Sequence, residues 1–251
     1  MRDSEKKEAC DPISVVIPAF NEESYIGPTL DSVESAAAFL RNRDGRDIEV
    51  IVVDNGSTDR TAEIARSRGV VLVEEARRNV AFARNAGARA ARGQLLVFVD
   101  ADTHWPESLL SRIAEVMSDG RCIGGAVDTD YRSGRFAVRA YVRFWRVLGK
   151  IFRMAQGATQ FYQAGVFSSL RGYNEAIFMG EDVDLYWRLR KAARRGSGSV
   201  EFIEDLRVVP SCRRFDKWPF WKTVLLTNPF MVMLFSRMKK PWGGWYGTPT
   251  R

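Results

Sequence analysis

Gln94-Leu95-Leu96-Val97-Phe98-Val99-Asp100-Ala101-Asp102 is the stretch that decides how this chain is read. An unbroken apolar run rich in strand formers, too short for a helix, stops abruptly at an acid. Such a run predicts a buried strand covering residues 94–99. Residues i and i+2 at a strand end point the same way, so Asp100 and Asp102 face one point. Two converging carboxylates repel each other unless a cation lies between them. A hard divalent cation, Mn²⁺ or Mg²⁺, takes such oxygen ligands and fills its remaining positions from phosphate and water. It would neutralise charge on a departing diphosphate. A solvated loop with two acids is the plain alternative, and the apolar strand leading into the pair favours the metal.

Working outward, residues 13–18 and 48–53 form two more apolar, β-branched runs, and residues 70–73 a shorter one. Helical stretches are expected over 24–40, from Ser57 or Thr58 as cap to about 68, and over 81–92. The order β-α-β-α-β-α-β with strands apolar on both faces predicts a parallel sheet covered by helices on both sides. Ligands of such sheets bind at the carboxyl ends of the strands, where strand order reverses. Asn21, Asp54, Asp100 and Asp102 all fall at or just past strand ends and should converge there. Further on, helices are expected over 106–117, 135–154, 181–195 and 218–238, the last around Pro229. Strands are expected over 123–128, 200–203 and 206–209, and residues 159–167 are expected to rejoin the sheet.

The chain has 251 residues, enough for one large α/β domain with a small extension. Residues 1–12 are expected to be disordered, 13–215 to form the domain, and 216–251 a helical extension. The net charge of +7 suits a nucleotide substrate, an anionic membrane or nucleic acid. The basic residues spread along helices without a nucleic-acid-binding module, so nucleic acid is set aside. Cys10, Cys122 and Cys212 form no C-x-x-C pair, which excludes a zinc knuckle and fits a reducing cytosol. The N-terminus reads as neither a signal peptide nor, with the rest of the chain, a membrane span.

Other polar clusters admit two readings each. Asp54, Asn55 and Gly56 either cap a strand-to-helix turn or receive a nucleoside, with Gly56 allowing close backbone approach. Pro18, Ala19, Asn21 and Glu22 either form a turn or read the polar edges of a base. Arg84 either reaches a diphosphate or lies exposed on its helix. Glu181 and Asp182 open a helix, where acids serve the dipole or act as a general base for an acceptor hydroxyl.

Together VVIPAFNEE, VVDNGSTDRT, FARNAGARAARGQLLVFVDADT and GYNEAIFMGEDVDLYWRLRK resemble glycosyltransferase family 2, with its GT-A fold, a Rossmann-like nucleotide-binding sheet. The resemblance spans residues 13–215, with the four motifs in order. It implies that Pro18, Ala19, Asn21, Glu22 and Asp54 surround the nucleoside. It implies that Asp100 and Asp102 hold the metal, Asp102 more directly, and that Asp182 is the base with Glu181 beside it. The reaction would be inverting transfer from a UDP- or GDP-sugar to an acceptor: a polysaccharide, a lipid carrier or a small molecule. One departure stands out. Where many relatives carry a histidine before a late Arg-Arg-Phe, this chain has Ser211-Cys212-Arg213-Arg214-Phe215. The single histidine, His104, is read as a loop residue, and Arg213 and Arg214 are expected to neutralise the diphosphate.

Arg139, Arg143, Arg146, Lys150 and Arg153 recur at helical spacing among large aromatics. Either that helix packs on the sheet with a solvated basic face, or it lies in an anionic lipid interface. The tail adds Arg237, Lys239, Lys240, Trp242, Trp245 and Tyr246 around an apolar body too short to span a bilayer. The expected location is the cytoplasm, peripheral to the inner membrane face. Two competing functions are a sugar-phosphate nucleotidyltransferase, which would want a glycine-rich loop absent from PAFNEES, and a non-catalytic nucleotide-sugar-binding protein.

Overall fold

In the computed structural model, residues 12–152 and 158–238 are described. The expected disorder of the N-terminus falls outside them up to residue 11, as do Arg153, Lys239, Lys240, Trp242, Trp245 and Tyr246. Eight strands form a sheet of order β3-β2-β1-β4-β7-β6-β8-β5. One half of the sheet consists of β1 (Ile13–Ala19), β2 (Ile48–Asp54), β3 (Val71–Glu74) and β4 (Leu95–Val99), all mutually parallel, with β3 at the edge. Both faces of β1 are covered. Val15 and Ile17 point to one apolar layer and Val16 to the other, which is why the run alternates in direction but not in polarity. Helices α1 (Ile26–Asp44), α2 (Thr61–Ser67) and α4 (Leu109–Ser118) contribute to the first layer. The second contains α3 (Val80–Ala90), α6 (Ala164–Ser169) and α7 (Glu181–Gly196).

The expected parallel pairing holds for β1 to β4, and beyond β4 the sheet is mixed. Strand β7 (Thr159–Gln163) enters antiparallel between β4 and β6 (Cys122–Thr129). Residues 164–167 then turn into α6 instead of extending the strand. The two short late strands are one, β8 (Ser199–Pro210), parallel to β6. Ile203 and Arg207 face the consecutive residues Val127 and Asp128, so residues 204–206 bulge out and break the alternation that the sequence shows. A two-residue strand, β5 (Thr103–His104), pairs with its far end.

Local chemistry explains the helix limits. Asn79 caps α3 through its side chain, which accepts the Ala81 N–H. Helix α2 starts later than expected. The Asp59 carboxylate, not Ser57 or Thr58, accepts the Thr61 N–H at 3.0 Å. Gly87 marks the closest approach of α3 to the sheet, where a Cβ would lie 2.3 Å from Val16 Cγ1. After β6 comes α5 (Phe136–Phe152), and after β8 come α8 (Arg213–Lys217), α9 (Phe220–Thr227) and α10 (Pro229–Phe235). The expected late helix is therefore broken, at Asn228 and Pro229. Among the described residues no helix is long and apolar enough to cross a membrane.

Candidate active site

The chain leaves β1 toward β2 and β3 on one side, then returns to β4 on the other side of β1. The crevice between the carboxyl ends of β1 and β4 is therefore the point where strand order reverses. Because β6 and β8 run parallel to β4, the segments that follow them, with Tyr131 and Arg214, emerge on the same side. A cleft of about 310 Å³ opens there. Its walls include Pro18, Ala19 and Glu22 after β1, Asp100, Ala101 and Asp102 after β4, and Glu181 and Asp182 at the start of α7.

A buried ion network lies beneath the cleft. Arg84, 4% exposed, donates from one guanidinium nitrogen to Glu181 at 2.6 Å and from another to Asp100 at 2.7 Å. Its ring neighbour is Tyr173, 5.1 Å away. Burial pushes the Glu181 carboxyl up to about 7, while Arg84 pulls it back. On the other side, Arg213 donates to Glu22, sits 3.4 Å from Asp102, and lies over the Tyr25 ring. Burial pushes Asp102 up to about 7, with Glu22 adding to the rise and Arg213 opposing it. One oxygen of Glu22, Oε2, is buried without a hydrogen-bond partner.

These contacts redefine several expected residues. Arg84 lines the cleft but its charge is shared between Asp100 and Glu181, so it is neither an exposed helix arginine nor an open anion ligand. Arg213 is similarly engaged by Glu22 and Asp102 and does not line the cleft, whereas Arg214 does. Asn21, Asp54 and Gly56 build the loop behind the cleft wall. Asn21, in the left-handed region at φ 53°, accepts the Thr58 N–H, and Asp54 accepts the Ser57 N–H. Gly56, at φ 75°, passes close to Arg78. Asn55 faces the cleft and also ties the β3 exit loop, donating to the Glu75 and Arg77 carbonyls. His104 is exposed on β5 and stands outside the cleft. Asp182, two residues after Gly180 in the left-handed region, sits in the first turn of α7.

Sequence reading missed the aromatic and cationic walls. Arg78 stacks over Phe20 at 3.8 Å, and both line the cleft. A signal existed in the Arg77-Arg78-Asn79 run just ahead of a helix cap. Tyr141 and Trp145, four residues apart on α5, turn inward to the cleft, and Thr227 of α9 joins them. Arg146 also leaves the expected basic face, donating to the buried Asp128 at 2.8 Å.

Could a divalent cation fit? Among the described residues, no three His, Cys, Asp or Glu side chains gather as a complete ligand set. Asp100 and Asp102 alone suit a cation that keeps water and takes phosphate oxygens. Glu22, with one oxygen unpartnered, and Asp100 both place negative charge beside Asp102 that such a cation would offset. The donor set fits.

The sequence profile "Glycosyl transferase family 2" matches residues 14–178. Glycosyltransferase AglE of Haloferax volcanii is 29% identical over 208 residues, covering 77% of this chain and 65% of that protein. An undecaprenyl-phosphate 4-deoxy-4-formamido-L-arabinose transferase of Pseudomonas paraeruginosa is 34% identical over 134 residues, covering 49% of this chain and 37% of that protein. The chain thus spans less than two thirds of these relatives' length. Among solved structures, the mannosyltransferase PcManGT of Pyrobaculum calidifontis, in complex with GDP-Man and Mn²⁺, superposes with a TM-score of 0.66 at 22% identity. That alignment covers 92% of this chain and 64% of that one, and it shows a shared fold, the GT-A arrangement of a mixed sheet between helices.

Proposed function

Since this chain belongs to glycosyl transferase family 2, we propose that it moves a sugar, with inversion, from a UDP- or GDP-sugar to an acceptor hydroxyl. One observation carries this reading. Asp100 and Asp102 from the end of β4 meet Asp182 from the start of α7 in a single cleft. In the proposed step the acceptor oxygen attacks the anomeric carbon and its proton passes to the Asp182 carboxylate. The bond from that carbon to the diphosphate oxygen breaks, and the nucleoside diphosphate leaves with the electron pair. Single displacement needs one base, not the carboxylate pair of a hydrolase. A Mn²⁺ or Mg²⁺ ion held by Asp102 and Asp100 would supply the positive charge that the departing diphosphate requires. Arg214 faces the same space. Phe20 with the stacked Arg78 offers a flat wall for the base, next to Pro18 and Ala19. Asn21, Asp54 and Gly56 hold that wall from behind. Glu181 acts through Arg84 to hold Asp100 in place.

The acceptor is proposed to be lipid-linked, in keeping with a relative named for transfer to undecaprenyl phosphate. A polysaccharide or small-molecule acceptor would need a different approach to the cleft. The location that suits a lipid-linked acceptor is the cytoplasmic face of the membrane, with peripheral attachment.

The test is a thermal-shift screen of nucleotide sugars with and without Mn²⁺, followed by donor turnover. The preferred donor should raise the melting temperature of the wild type by mass action. Asp102→Ala should lose the metal-dependent part of that shift. Asp182→Asn should keep the shift and lose turnover by about 10²–10⁴-fold. A wild type that responds to no nucleotide sugar with either metal would overturn the proposal.

A further inference from the structure

The described residues include eleven exposed large hydrophobic side chains, and most of them share one region. Phe136, Phe144 and Val147 lie on α5, Phe220, Trp221 and Leu225 on α9, Leu234 on α10, and Met238 just after it. Phe136 is 78% exposed, Trp221 66% and Leu234 71%, values that a chain in water alone does not favour. On α5 the exposed positions Phe136, Arg139, Arg143 and Val147 recur every three or four residues, with Phe144 beside Arg143, which makes one stripe. Helices α5 and α9 lie side by side. The Tyr141 hydroxyl is 3.0 Å from Thr227 Oγ1 and 3.3 Å from the Val224 carbonyl, and its ring meets Phe220 edge-on.

Charge identifies what would cover this face. The sequences of α5, α9 and α10 contain no Asp or Glu, while Arg139, Arg143, Arg146, Lys150 and Lys222 lie on them. Arg146 is taken up by Asp128, but Arg139 and Arg143 are exposed between the aromatics, and Arg237 is exposed at the end of α10. Apolar side chains interleaved with cations, free of acids, fit the interface of an anionic bilayer. A protein partner would need its own acids and pockets to match them.

The same helices wall the cleft. Tyr141 and Trp145 point from α5 into it, and Thr227 from α9. Helix α10 reaches the loop that carries the base. The Phe178 N–H donates to the Ser236 carbonyl at 2.7 Å, and a Cβ on Gly180 would lie 3.0 Å from Val232 Cγ1. We infer that the α5–α9–α10 face docks on an anionic lipid bilayer and sets the cleft mouth at headgroup level. Resting on the transferase reading, this assigns the acceptor to a membrane-resident amphiphile that enters from the bilayer side.

The experiment uses the full chain and needs no sugar nucleotide, so its failure would leave the transferase reading standing. The probes are vesicles of phosphatidylglycerol with phosphatidylcholine, and of phosphatidylcholine alone, at low salt. The wild type should sediment with the first and much less with the second. Phe144→Glu combined with Trp221→Glu should weaken binding by at least about tenfold, because each replaces an exposed aromatic that docking would bury in the bilayer with a charge. A second arm does not depend on that variant folding. An environment-sensitive fluorophore on Val147→Cys should shift to the blue with the anionic vesicles, and one on Ser67→Cys, on α2 away from this face, should not. Three results would each overturn the inference: wild type left in the supernatant, an unchanged Val147→Cys signal, or a stable dimer that shields that label in solution.

Discussion

Arg84 is the side chain on which both walls of the cleft lean. It was expected on an exposed helix face or at a diphosphate, yet it is buried with one nitrogen on Asp100 and another on Glu181. Helical spacing revealed its position on α3 but not that α7, almost a hundred residues later, would bring a carboxylate to it. A buried pair is costly to break because the survivor keeps its charge without a partner. Arg84→Ala should therefore destabilise the fold by about 3–5 kcal/mol in urea unfolding. Arg84→Lys should fall between, since an ammonium cannot serve two carboxylates with the guanidinium's fork. Equal stability of Arg84→Ala and wild type would remove Arg84 from this role. Asp100 and Asp102 were legible for the opposite reason. Their convergence follows from strand geometry alone and needs no long-range partner.

At the scale of the element, β1 to β4 and the helices between them were readable because each carries its own signal. Apolar runs end at polar residues, and caps and glycines mark the helix limits. Strand β7 was not readable as antiparallel. Direction is set by which neighbour it pairs with, Leu96 against Tyr162 and Ala126 against Gln160, and periodicity contains no direction. Helix α5 was half legible. Its aromatic and basic residues stood out, but only packing shows that Tyr141 and Trp145 turn toward the cleft while Phe144 turns away. Gly87 supplies a prediction about an element contact. In an open helix Gly→Ala adds about 1 kcal/mol of stability. On α3 the added methyl would meet Val16 Cγ1 at 2.3 Å and Val53 Cγ2 at 2.9 Å, both in a filled layer. Gly87→Ala should therefore lower stability by about 1–3 kcal/mol. A thermal melt checks the sign, and an increase would show that α3 can move off the sheet.

Acid tolerance belongs to the whole molecule, because it sums over the carboxylates whose pKa folding shifts, wherever they lie. Glu75 is the clearest case. The Arg77 side chain forks onto it at 2.9 and 2.7 Å and the Arg77 N–H adds a third bond, holding its carboxyl down at about 2 from an ordinary 4.5. An unfolded chain takes up that proton near 4.5 and the folded chain only near 2. The pair therefore stabilises the fold fully above about pH 4.5, and that support is lost as pH falls toward 2. Arg77 is 55% exposed, so solvent screens the pair and the effect is modest. Melting temperatures measured across this window should fall less steeply for Glu75→Gln than for the wild type. Parallel slopes would mean that other carboxylates carry the acid response.

Local pattern by itself determined the four-strand nucleotide-binding half, the acidic pair at the end of β4 and the order of the motifs, because strand period, caps and strand-end geometry act over a few residues. Tertiary structure alone decided that Arg84 and Arg213 would be occupied by carboxylates and that α5 and α9 would wall the cleft. It also decided that Phe20 with Arg78 would form its flat side. Each of these joins residues far apart in the chain, and contacts at that range depend on how the sheet brings its strand ends together.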